Sequence, residues 1–101
     1  MANTFKNGTF WEFTKGYRAL QVTNQNEWQK FVKLCKDNQL PLAQLNRIQN
    51  EGGYPYLNHI NRINRQPMDL FLFERSGDTI TWDSDVKKST EWYGTEPLVF
   101  A

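Results

Sequence analysis

Apolar residues recur along this chain at three different spacings, and each spacing predicts a different element. Thr9 to Phe13 is an aromatic, β-prone run, and Tyr17 to Thr23 alternates, with Leu20 and Val22 on one face. Thr14-Lys15-Gly16 lies between them as a three-residue loop whose glycine suits a left-handed position, so residues 9–23 predict a β-hairpin. Trp28, Phe31, Val32 and Cys35 then fall at i, i+3, i+4 and i+7, which is one face of an α-helix. Asn24 with Glu27 three residues on has the spacing of a capping box. The pattern stops near Asp37-Asn38.

In residues 40–66 the period changes to three: Leu42, Leu45 and Ile48, then Leu57, Ile60 and Ile63. Such a set drifts around an α-helix by about 60° per step and still shares one broad face, so short helices or 3₁₀ turns are expected. Pro41 suits a helix start and Gly52-Gly53 a helix end. Further on, Leu70-Phe71-Leu72-Phe73 is apolar on both faces, as in a central strand. Arg75-Ser76-Gly77-Asp78 predicts a turn, and Thr79-Ile80-Thr81-Trp82-Asp83 alternates. Residues 84–94 are expected to be a polar loop or one or two helical turns. Pro97 to Phe100 is expected to be a last strand. The order predicts an α+β fold: an antiparallel sheet of four to five strands packed on one main helix, with a polar middle insertion of short helices or loop. At 101 residues the chain is the size of a single domain, 1–101.

Composition narrows the functional classes. Aromatic residues make up 15% of the chain, too many large rings for a disordered one. Ten Asn and seven Gln supply hydrogen-bonding capacity without charge. A net charge of +1 leaves no overall field to hold a polyanion or a membrane surface, so electrostatic recognition must come from local patches. No apolar run approaches the roughly 18–20 residues of a membrane span. The N-terminus lacks the apolar stretch of a signal peptide, and the single cysteine fits a reducing compartment, so the expected location is the cytoplasm.

The chemistry-bearing residues are few. Cys35 lies on the apolar stripe of the helix, where a thiol is a small core residue with a raised pKa. His59, the only histidine, has no carboxylate at a spacing that would orient it. Asp78, Asp83 and Asp85 flank the last hairpin, where turn residues are ordinary. No metal-ligand spacing and no phosphate loop is present, so the expectation is a non-enzyme with no cofactor and no metal. What remains is a polar constellation. His59, Arg62 and Arg65 recur every third residue beside the apolar set, and Asn58, Asn61 and Asn64 fill the third row. Arg47, Tyr54 and Tyr56 stand just upstream. Arginine offers planar, bidentate contacts to carboxylate or phosphate, and tyrosine offers a stacking surface. Trp92-Tyr93, in a polar stretch, has the character of a binding anchor. The set reads as a protein-contact surface, with a nucleic-acid-binding module as the alternative and a merely solvated helix face as the bland reading. Exposed aromatics also allow a homo-oligomer.

One resemblance follows from these elements. The strand Tyr17 to Val22, the helix with Glu27-Trp28, Phe31 and Leu34, and the stretch Ile80-Thr81-Trp82-Asp83-Ser84, Trp92-Tyr93-Gly94 and Leu98-Val99-Phe100 resemble small bacteriophage-encoded accessory proteins. About half the chain takes part. Trp82 and Asp83 depart from the pattern, which has Tyr-Gly there. The resemblance implies a protein that binds a host protein, in the manner of an anti-defence inhibitor in the host cytoplasm. It implies no particular site residues.

Overall fold

The computed structural model describes residues 9–66, 71–85 and 87–100. The helix with the strongest periodicity is α2, Gln25–Asp37, and it buries Trp28, Phe31, Val32 and Cys35 as their spacing requires. Asn24 caps it, its side chain accepting a hydrogen bond from the Glu27 N–H at 2.9 Å. The Glu27 carboxylate reaches back one residue further than in a standard capping box and accepts from both the N–H and the hydroxyl of Thr23, at 2.9 and 2.8 Å.

The chain before α2 corrects the expected hairpin. Residues Phe10–Thr14 form a short helix, α1, and Leu20–Val22 form strand β1. A five-residue aromatic run satisfies either period; here Phe10 and Phe13, three apart, both enter the core, while Trp11 stays outside. Gly16 is left-handed as expected, with φ +75°. It closes a helix and not a hairpin: the Gly16 N–H donates to Phe13 O and the Tyr17 N–H to Glu12 O, at 3.0 and 2.9 Å.

Residues 43–63 hold two helices, α3 (Ala43–Asn50) and α4 (Tyr54–Ile63), parted at Gly52-Gly53. They are not an appendage to the fold. Leu45, Ile48, Tyr54 and Leu57 are all buried in the main core, beside the residues of α2. Two amide side chains tie the three helices together. Gln49 accepts from the Trp28 indole N–H, and Gln25 accepts from the Tyr54 main-chain N–H at 3.2 Å.

The sheet has three strands among the described residues, not the four to five expected. β1, β2 (Phe71–Ser76) and β3 (Thr79–Asp83) run antiparallel in the order β1-β2-β3, with Leu20 opposite Phe73 and Phe73 opposite Trp82. One lost strand became α1. The other, Pro97 to Phe100, forms no continuous strand: Leu98 makes a parallel bridge beside Leu20, held by Gln21 N–H to Leu98 O and Leu98 N–H to Ala19 O, both 2.8 Å. Pro97 has no N–H to extend that pairing. The stretch before it forms one short helix, α5 (Lys88–Tyr93).

Alternation divides the sheet into two faces. Leu20, Val22, Phe71, Phe73 and Ile80 join one apolar core with Phe13, Trp28 and Phe31, knit by ring contacts such as Phe31–Phe73, whose centroids are 4.8 Å apart. Gln21, Leu72, Glu74, Thr81 and Asp83 occupy the opposite face. No helix among the described residues is long and apolar enough to cross a membrane.

Candidate functional site

The expected contact surface depends on how α4 is seated, and that begins at Gly53. This glycine is left-handed (φ +75°), and a Cβ there would meet Gln49 Oε1 at 3.0 Å and Trp28 Nε1 at 3.2 Å. The close approach sets α4 against α2. Tyr54, Leu57 and Asn61 are then the buried positions, spaced three and four apart as a true α-helix demands. The three-residue set Leu57, Ile60, Ile63 therefore slides off the core face: Leu57 is buried, Ile60 is half-buried and Ile63 is 62% exposed. Asn61, read as part of an outward row, is only 2% exposed.

This seating sorts the expected site residues. Tyr54 is buried with its ring edge-on to Phe71 at 5.2 Å, so it offers no stacking surface. Tyr56 is half-buried against the core. His59 and Arg62 are exposed on α4, and Arg47 is exposed on α3. Arg65 lies beyond the helix, exposed and left-handed at φ +57°, where it ends α4. The Arg65 N–H donates to Arg62 O and the Gln66 N–H to Asn61 O. Trp92 is exposed, with Lys88 Nζ 5.8 Å from its ring centroid. Tyr93 is half-buried and turned toward the outer face of the sheet, where burial, and then the charge of Glu74, push its hydroxyl above the ordinary pKa of a tyrosine.

None of these eight expected site residues lines a groove that the tertiary fold forms beside them. A polar hollow of about 470 Å³ runs between the end of α4 and the end of β3, lined by Asn61, Asn64, Gln66, Trp82, Asp83, Ser84, Asp85 and Lys88. Its α4 wall carries amides next to Arg62 and Arg65, and its α5 wall carries Lys88, the residue stacked over Trp92. The two aspartates are held in place by the loop itself: Asp83 Oδ1 accepts from the Asp85 N–H at 2.8 Å, and Asp85 Oδ1 from the Lys87 N–H at 3.0 Å. Each has a second oxygen with no hydrogen bond among the described residues. Lys88 Nζ leans to Glu91, 3.6 Å away, so its charge is drawn toward its own helix.

Trp82, Asp83 and Asp85 line the groove although spacing alone does not select them: an aromatic and an aspartate at the end of an alternating strand and an aspartate just past it are ordinary strand and turn residues. Cys35 is fully buried and burial pushes its thiol up to about 12, so the thiolate needed for nucleophilic chemistry does not form near neutrality. Among the described residues no group of three or more His, Cys, Asp or Glu side chains is gathered as metal ligands.

No protein-family model, curated protein or solved structure is similar enough to this chain to count as a match.

Proposed function

We propose that the chain is a non-enzymatic binding protein that engages a partner protein along the groove between α4 and the β3–α5 loop. The observation that carries this reading is the groove itself. It brings amides, an aromatic ring, two carboxylates and a lysine together, with exposed Arg62 and Arg65 next in sequence to its amides and exposed Trp92 under its lysine. Mixed charge, an aromatic anchor and dense amide hydrogen bonding suit a protein surface. They suit a phosphate backbone poorly, since Asp83 and Asp85 repel it and Tyr54, one of the rings a nucleic-acid reading needs, is buried. The likeness to phage-encoded accessory proteins supports placing that partner in a bacterial host, as the target of an inhibitor.

Affinity capture from a bacterial lysate with mass spectrometry tests the reading, run on the wild type and on Arg62→Glu with Arg65→Glu. Both arginines are exposed and make no ion pair among the described residues, so the melting temperature should stay nearly unchanged while capture of the partner is lost. Unaltered capture by the folded double variant overturns the site.

A further inference from the structure

The two edges of the sheet use their main-chain groups differently. Gly77-Asp78 joins β2 to β3 as a two-residue turn, with Gly77 at φ +59°, so Ser76 and Thr79 form a hydrogen-bonded pair. Antiparallel alternation then makes Glu74/Thr81 and Leu72/Asp83 hydrogen-bonded pairs, and leaves Arg75/Ile80 and Phe73/Trp82 non-hydrogen-bonded. Ile80 and Trp82 therefore aim their N–H and C=O groups away from β2. Carried across the sheet, the same alternation aims Ala19 and Gln21 outward at the far edge, and there Leu98 bonds to both. At the β3 edge, Ile80 and Trp82 make no main-chain hydrogen bond outside the ladder among the described residues. The strand also lacks the lysines and prolines that usually blunt an open edge.

Two hollows flank this edge. One, of about 270 Å³, is lined by Pro41, Ala43 and Gln44 at the start of α3 and by Asp78 to Thr81. The other is the groove of about 470 Å³ at Trp82, Asp83 and Asp85. We propose that β3 receives an extended segment of the partner protein as a fourth strand, an inference that rests on the protein-binding reading above. On such a segment the residues opposite Ile80 and Trp82 are two apart, and both turn their side chains to the helical face. The first enters the smaller hollow, whose Pro41, Ala43 and Ile80 suit a small apolar side chain. The second enters the groove, where the Trp82 ring and the free oxygen of Asp85 suit a lysine or arginine. The partner is thus a protein with an extended stretch carrying a basic residue two positions from a small apolar one.

A ribosome-displayed library of random peptides of about ten residues, selected on the full chain, tests this directly. Selected peptides should share the basic and small apolar pair at that spacing. Their binding should slow amide hydrogen exchange of Ile80 and Trp82 by about tenfold or more. Asp85→Asn should weaken binding by about tenfold, and Asn preserves the loop because its side-chain oxygen still accepts the Lys87 N–H bond. Three results overturn the proposal: no peptide is selected, selected peptides leave both amides exchanging as before, or both amides are already protected in a free protein that sizes as a dimer. The last gives the edge to a second copy of the chain. Peptides that leave Ile80 and Trp82 unchanged but lose binding to Arg62→Glu with Arg65→Glu would remove strand addition alone and leave the groove as the binding site.

Discussion

On the helical face of the sheet, Phe73 packs against Phe31 and Trp28, with ring centroids 4.8 and 5.8 Å away. One residue further along the same strand, on the other face, Glu74 has a buried carboxylate oxygen that no hydrogen bond reaches among the described residues. Neighbours in sequence thus face opposite environments. The helical face is an apolar jigsaw in which stability comes from burial and ring contact. The outer face is a sparse layer of Leu72, Thr81, Asp83 and Tyr93 around Glu74, and it carries an electrostatic cost. The helical face makes the fold, while the outer face and the loop that follows β3 gather the charged side chains Glu74, Asp83 and Asp85.

The largest test of this contrast is Phe31→Ala. Phe31 is fully buried between Phe13, Trp28 and Phe73, so its truncation should cost about 3–5 kcal/mol by urea denaturation. In a domain of this size that is a large share of the total. Leu72→Ala on the outer face should cost less, about 2 kcal/mol, because Leu72 is buried yet stands outside the main core cluster. Equal losses at the two positions would erase the distinction between the faces.

Glu74 offers a test of opposite sign. Burial first, and the charge of Asp83 second, push its carboxyl above its ordinary value of 4.5. The folded state therefore favours the protonated form. This group's contribution is fully present below pH 4.5, falls as pH rises through the raised value, and stays low at neutrality. Glu74→Gln should raise the melting temperature at pH 7, and the difference from wild type should shrink as pH falls toward 4.5. A variant that is less stable than wild type at pH 7 would show that the carboxylate has a favourable partner. The smallest effect belongs to Cys35. Its thiol should resist a maleimide at pH 8 in the folded protein and react only on unfolding, since burial holds its pKa at about 12.

Much of the fold was legible where one period had no rival. The α2 stripe, the Asn24 cap, the turn before Thr79 and the break at Gly52-Gly53 are all where the pattern places them. The Thr9–Phe13 run failed because five residues fit both a strand and a single helical turn, and only the pocket beside Phe31 selects the helix. The α4 surface was half legible. Its polar residues are exposed at His59, Arg62 and Arg65, but the core face turned out to be Tyr54, Leu57 and Asn61. A period of three drifts on a helix of 3.6, and the anchoring contact of Gly53 on Trp28 is invisible in a one-dimensional pattern.

By itself the sequence determined that this chain is of the α+β class, with an amphipathic helix over Gln25–Asp37, one buried thiol and an amide-rich middle. These follow from local spacing and composition, which are properties of short windows. Only the tertiary structure decided how many strands pair, which tyrosine is buried, and that Asn64, Asp85 and Lys88 face one groove. Those depend on groups far apart in sequence meeting across a packed core, where the cost of an unfilled space or an unmet hydrogen bond selects one arrangement among several that the local pattern allows. The groove exists because α4 is pinned at Gly53 against Trp28, and not because any residue in it announces a site.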